Sequence, residues 1–249
     1  MFFKSHFLKK YKQKLKRLKM RQNLILNQER AKFSSILNHD IKTPILAQNQ
    51  SLELLLKNTF GELNFSQKEI IEEIYYSNNF LLEVVLNSLF LSKYENEKPK
   101  LNLENIDLVE KIQDCAQLVK SYALEKNQNI IIKNKKQIKL NADRKFVQKI
   151  IFNILSSSVS VGFEKSDIEI SIKENKDSIL FVAKNKSIYM TKEKLNSLFE
   201  DKKDTKDFNQ LGVNLNLNIA KKLITAHNWN VIAKSKKDNS TILGFAVKK

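Results

Sequence analysis

Glycine and proline are scarce in this chain, four and two residues among 249. So few breakers and turn formers predict long helices and few elaborate turns. The single cysteine, Cys115, excludes an internal disulfide and any cysteine-based zinc site, and suits a reducing, cytoplasmic setting. There is no run of about 18 apolar residues, so no segment is expected to span a membrane. The N-terminus lacks the uncharged apolar core and small-residue cleavage site of a signal peptide. No acidic residue occurs between Met1 and Gln28, although Lys and Arg recur from Lys4 to Arg21.

The length suits one large or two small domains, and a hydrophobic content of 42% can bury a core. The net charge of +17 admits a nucleic acid, an anionic membrane surface or an acidic protein as partner, or simple compositional drift. The basic excess is strongest over residues 1–21. No aromatic-interleaved basic platform or recognition-helix pattern occurs, so no nucleic-acid partner is expected.

Residues 1–30 read as a basic helix with a narrow stripe of Leu8, Tyr11, Leu15, Leu18 and Ile25. That stripe suits a coiled coil, a membrane-surface contact anchored by Phe2, Phe3 and Phe7, or a solvated extension of the next helix. Residues 31–57 continue the helical period, with a bend expected at Pro44. Asn58–Asn64 reads as a turn. Ser66 and Glu69 then form a predicted capping box for a helix running to about Tyr94. Two long helices with a short turn make a hairpin whose core is too small alone, so pairing with a second copy into a four-helix bundle is expected.

Beyond Pro99 the pattern becomes mixed. Strands are predicted at Lys100–Leu103, Asn129–Lys133, Ile138–Leu140, Asp167–Lys173, Ser178–Ala183, Trp229–Ser235 and Thr241–Val247. Helices are predicted from Asp107 to about Lys126, from an Asp143 cap to about Ser160, and over Lys192–Phe199 and Leu215–Ala226, with a polar loop at Lys202–Gln210.

The greatest density of chemically useful residues lies in SSILNHDIKTPI, Ser34–Ile45. A neutral imidazole at His39 is a nucleophile near neutral pH. Asp40 can accept its ring proton, and Thr43, one turn on, can place a water. A lone surface histidine is the bland alternative.

The string HDIKTP resembles the H-box of bacterial sensor histidine kinases. Phe80–Glu110 resembles the family's second hairpin helix and its exit. ADRKFVQKIIFNIL (142–155) resembles the opening of its N-box, and KLNSLFE (194–200) and Leu215–Ser235 resemble the segments after its two glycine boxes. The resemblance covers about residues 31–249 and implies an α+β fold: a two-helix hairpin forming a dimeric four-helix bundle, followed by an α/β sandwich of the histidine-kinase ATPase type. The divisions implied are 1–30, a basic helix; 31–97, the dimerisation and phosphotransfer hairpin; and 98–249, the ATP-binding unit. It makes His39 the phosphoacceptor, Asp40 the assisting acid and Thr43 the water-placing residue. It implies ATP and Mg2+ as cofactors, a homodimer, and the receiver domain of a response regulator as partner. The chain is expected to be cytoplasmic or peripheral at the inner membrane face, whether whole or as the remnant of a longer membrane-anchored sensor.

The ATP motifs depart from the family's pattern. Asn153 matches the first N-box asparagine, but the second, the expected magnesium ligand, falls at Ser157, and the following lysine at Ser160. The adenine-reading aspartate falls at Asn185, and the glycines of that box at Ser187 and Tyr189. In the second glycine box Gly212 is kept, while the next two glycines fall at Asn214 and Asn216. Asparagine tolerates positive φ, so the loop shape is expected to persist with side chains intruding on the phosphate space. Two readings stay open: a kinase with impaired ATP use, or a degenerate kinase serving as response-regulator phosphatase, phosphotransfer dimer or scaffold.

Overall fold

The computed structural model describes residues 36–94, 99–133, 136–200 and 208–248, together with Leu18, Arg21, Ile25 and Glu29. The predicted basic helix over residues 1–30 and the stripe it carries therefore fall outside the described residues, apart from these isolated positions.

A π-helical turn, Ile36–Ile41, leads into helix α1, Lys42–Leu56. Pro44 sits in the first turn of α1, where a missing backbone N–H leaves no helical bond unmade. The irregularity predicted at Pro44 thus lies just upstream, as a widened turn carrying His39 and Asp40. Asn58 and Gly61, both at positive φ, reverse the chain. Helix α2, Phe65–Lys93, opens on a capping box made by Asn64 and Gln67 rather than Ser66 and Glu69. Asn64 is as good an acceptor as serine at this position, and its side chain takes the Gln67 N–H at 2.9 Å.

Polar rungs join the two helices: Asn49 to Asn79 at 3.1 Å and Gln48 to Asn78 at 3.2 Å, with the Tyr75 hydroxyl on Glu53 at 3.1 Å. Ile45 is buried, but Ile70, Ile74, Leu81 and Val84 form an exposed apolar stripe along α2. The opposite face of α2 packs on the rest of the chain. Phe80 lies 5.2 Å from the Tyr122 ring and 5.5 Å from that of Phe152, and Phe90 lies 5.9 Å from Phe146.

The remaining elements are β1 (Leu103–Asp107), α3 (Leu108–Glu125), β2 (Asn129–Ile132), β3 (Lys139–Asp143), α4 (Arg144–Val161), β4 (Asp167–Glu174), β5 (Ser178–Lys186), α5 (Lys192–Ser197), α6 (Phe208–Ala226), β6 (Asn230–Lys236) and β7 (Ser240–Lys248). Five strands form one sheet in the order β2-β4-β5-β7-β6, and β1 and β3 pair separately. Only β2–β4 is parallel in the large sheet. One sheet face alternates into the core through Ile168, Ile170, Ile172, Ile179, Phe181, Leu243, Phe245 and Val247, against α3, α4 and α6.

Asp143 caps α4 as the sequence predicts, and Asp107, read as the first residue of its helix, caps α3; each accepts a first-turn N–H. The first strand lies three residues later than predicted, because Leu103–Asp107 pairs with Asp143–Lys139. Helix α6 begins at Phe208 rather than Leu215. Val213, Leu217, Ala220 and Ile224 are all buried at helical spacing, so the period already includes the residues read as a glycine-box loop.

His227 is a structural histidine. Its Nε2 accepts the Asp143 N–H at 3.2 Å, its Nδ1–H donates to the Leu223 carbonyl at 2.8 Å, and its ring lies 4.4 Å from that of Trp229. Burial holds its pKa below the usual 6.5. The unfolded chain therefore takes up this proton more readily. The His227 contribution is complete above about pH 6.5 and is lost as pH falls through the lowered folded value. Urea midpoints should fall between pH 7.5 and 5.5, and His227→Gln should flatten that slope; an unchanged slope would remove His227 as its source.

Cys115 is fully buried with its Sγ–H on the Gln148 carbonyl. Burial raises the thiol's pKa far out of the reactive range. Among the described residues no helix is long and apolar enough to cross a membrane.

Candidate functional site

His39 stands on the π-helical turn with its side chain 87% exposed. Its Nδ1 lies 3.4 Å from Asp40 Oδ1, so the carboxylate is placed beside one ring nitrogen while the ring stands open to solvent. Thr43 is exposed one turn further, in α1. The sequence-predicted trio is thus on one continuous helical segment and open to a partner.

The second cluster lies where α4, β5 and α6 meet. Asn153, Ser157 and Asn185 are buried, as is Asn214. Each keeps a side-chain polar atom without a hydrogen-bond partner: Asn153 Nδ2, Ser157 Oγ, Asn185 Oδ1 and both amide atoms of Asn214. Buried polar groups are ordinarily satisfied, so four orphans in one cluster mark a place for a polar ligand.

Asn185 Nδ2 donates to the Ser158 carbonyl at 2.8 Å, which turns Oδ1 away as a free acceptor. Gly162 makes room for this: a Cβ there would meet Asn185 Nδ2 at 3.0 Å and Gln128 Nε2 at 2.8 Å. Beside Gly162 a cavity of about 350 Å³ is lined by Ser187, Met190, Lys194, Leu198 and Val213. Its volume and mixed walls suit a heteroaromatic base. Tyr189, which stands at the place of a family glycine, is 42% exposed and does not line the cavity. Ser187 Oγ is paired with Thr241 Oγ1 at 2.6 Å.

The second-box residues are helical, in α6, not in a left-handed loop. Positive φ is used elsewhere, at Asn58, Asn127, Lys165, Asn228 and Asn239. Asn214 turns into the cluster. Asn216 donates to Ser156 Oγ at 3.1 Å and accepts from Asn87 of α2. No group of three or more metal-binding side chains of the His, Cys, Asp or Glu type occurs among the described residues. The cluster's oxygens that could face a hard cation, those of Asn153, Ser157 and Asn214, are all neutral, and that of Asn153 already accepts from Asn87.

Sequence reasoning missed Asn87, Lys149 and Lys194. Lys149 bonds Asn87 Oδ1 at 2.7 Å and Glu83 at 3.2 Å. The available signal was a polar residue interrupting the apolar run of LLEVVLNSLFL.

Residues 142–248 match the family described as histidine kinase-, DNA gyrase B- and HSP90-like ATPase. The sensor protein DltS of Streptococcus agalactiae is 25% identical over 83% of this chain and 51% of its own length. The sensor histidine kinase WalK of Bacillus subtilis is 22% identical over 89% of this chain and 37% of its own. Residues 142–248 thus resemble this ATPase family, and the chain as a whole is similar to sensor histidine kinases. It spans about half the length, or less, of these curated relatives. Among solved structures, the histidine kinase neighbours share its fold. Full-length ShkA in complex with AMPPNP has a TM-score of 0.58 at 18% identity, covering 88% of this chain and 45% of that one. Histidine kinase ThkA in complex with the response regulator TrrA has a TM-score of 0.53 at 16% identity, covering 91% of this chain and 66% of that one.

Proposed function

We propose that this chain is a histidine kinase that takes the terminal phosphoryl group of ATP onto His39 and passes it to an aspartate of a response-regulator receiver domain. The observation that carries the reading is the pair of sites together: an exposed imidazole flanked by a carboxylate, and a buried cluster of orphaned polar atoms beside a base-sized cavity.

In this reading the cavity beside Gly162 takes the adenine, with Asn185 Oδ1 accepting from its amino group. Ser157, with Asn153 and Asn214, faces the phosphates, and Ser157 Oγ is the candidate magnesium ligand. Bound Mg2+ would neutralise developing phosphate charge. His39 Nε2 attacks the terminal phosphorus, a P–N bond forms, the P–O bond to ADP breaks, and Asp40 holds the Nδ1 proton. The second transfer moves the phosphoryl group from nitrogen to a partner carboxylate, and Thr43 positions water when that acyl phosphate is hydrolysed.

We assign residues 31–97 to the phosphotransfer hairpin and 98–249 to the ATP-binding unit. The exposed stripe of Ile70, Ile74, Leu81 and Val84 is the face for a second copy. A cytoplasmic place, at the inner membrane face if residues 1–30 touch lipid, belongs to the same proposal.

The reading is tested by incubating the chain with ATP and Mg2+, labelled at the terminal phosphate. Acid-labile, base-stable label on the protein is the expected result. A second reading, response-regulator phosphatase or phosphotransfer dimer, is favoured by one observation: the magnesium-facing oxygens are all neutral, and that of Asn153 is already bonded to Asn87. Absence of label at millimolar ATP, with receiver dephosphorylation retained, would select it.

A further inference from the structure

Asn87 is fully buried in the middle of α2, on the face that carries Phe80, Glu83, Phe90 and Tyr94. A buried amide without partners is costly, so its bonds determine whether the contact is tolerated. All of them cross to the ATPase unit. Nδ2 donates to Asn153 Oδ1 and, at 3.1 Å, to Asn216 Oδ1, while Oδ1 accepts from Lys149 Nζ at 2.7 Å. The ammonium can only donate, so it fixes which way the amide faces. Asn216 is fixed in turn, because its own Nδ2 is spent on Ser156. A slip of α2 by one residue would break the whole set, and would displace Glu83 from Lys149 as well, because Glu83 is carried on the same helix.

Asn87 thus occupies one amide oxygen from α4, that of Asn153, and one from α6, that of Asn216; neither residue lines the cavity beside Gly162. Asn153 lies one helical turn before Ser157, and with the Asn87 bond made, the atom that Asn153 still has without a partner is Nδ2, a donor. Hard cations are held through oxygen.

We propose that α2 is an internal competitor for this site: docking through Asn87 and binding of a magnesium–polyphosphate draw on the same oxygen of Asn153, so each weakens the other. This rests on the nucleotide reading above, and goes beyond it by naming the group that opposes loading. Competition of this kind is reciprocal, since whatever docking takes from ligand affinity the ligand takes from docking.

Calorimetry on the full chain separates the two ideas with two probes. Adenosine fills only the base cavity; Mg2+·AMPPNP also needs the phosphate end. Asn87→Ala should tighten Mg2+·AMPPNP by about tenfold, the middle of the usual range for coupled sites, and leave adenosine unchanged. Asn87→Leu, of similar size and with no polar atom to offer Asn153, should act in the same direction; it serves if the alanine variant does not fold. In wild type, saturating Mg2+·AMPPNP should speed amide hydrogen exchange over residues 80–90, and adenosine should not. An unchanged ratio of the two affinities in the variants, or unchanged exchange in wild type, would overturn the competition while leaving the nucleotide site intact. Failure of adenosine to bind wild type and variants alike would remove the nucleotide reading, and the competition with it.

Discussion

Replacing His39 by alanine is expected to abolish all acid-labile labelling from ATP while leaving thermal stability within about 0.5 kcal/mol of wild type. The stability expectation follows from exposure: the imidazole is 87% open to solvent, and its one polar neighbour is Asp40, itself 66% exposed. The chemical expectation follows from the scarcity of alternatives. His227, the other described histidine, has its Nδ1–H on a carbonyl and its Nε2 on a backbone N–H, so neither nitrogen is free to attack phosphorus. Phosphoramidate and phosphate ester are distinguished by acid treatment. Label that survives in His39→Ala, or that survives acid in wild type, would move the acceptor to another residue and sink the assignment. Asp40→Asn should slow labelling by about a hundredfold, the lower end of what a positioned acid–base group contributes.

The largest structural effect is expected at Gly244. It lies on the interior strand β7, opposite Val182 of β5 and Ile232 of β6. A Cβ there would stand 2.1 Å from the Phe181 carbonyl oxygen and 2.9 Å from the Val182 Cα. Both are backbone atoms of a paired strand, which cannot swing aside as a long side chain can. The neighbours on either side of the clash are the stacked rings of Phe181, Phe245 and Trp229, at centroid separations of 5.1 Å. Gly244→Ala should therefore cost about 3 kcal/mol or more, the upper end of overpacking penalties. That is a large part of a domain's total stability, and lowers the melting temperature by about 6–12 °C. Circular dichroism melts check it, and a shift under about 2 °C would show that β7 has room the structure does not contain.

Much of this architecture could be read from the residues. The capping aspartate, Asp143, and the period-two strands around Ile170 and Phe181 announce themselves through local chemistry. The errors lie where a long-range partner decides. Leu103–Asp107 is a strand because β3 pairs with it, and nothing local marks its start. Helix α6 extends back to Phe208 because a buried face continues through Val213, where glycine-box residues had suggested a loop. The scarcity of glycine hid the turns as well. Among the described residues, four of the five non-glycine positive-φ positions are asparagines, a residue that also fills caps and the polar cluster in this chain. Asparagine accepts the left-handed conformation through local hydrogen bonding, so the letter alone does not separate corner, cap and site.

The candidate site was legible by resemblance and less so by chemistry. His39, Asp40 and Thr43 stand together on neighbouring turns because they are neighbours in sequence. Asn153, Ser157, Asn185 and Asn214 come together only through the packing of α4, β5 and α6. Asn87 enters from a different part of the chain altogether, 66 residues before its partner Asn153. No spacing rule reaches that far.

Helix α2 is one uninterrupted rod of 29 residues, about 44 Å at the helical rise of 1.5 Å per residue. It is a shared axle. Its Asn79 grips the partner helix α1 on one side, and its Phe80, Asn87 and Phe90 mesh with the ATPase unit on the other. Neither set of teeth can turn alone. A twist of this rod about its axis, applied by any element upstream, changes the setting beside α1 and withdraws the amide from Asn153 in the same movement.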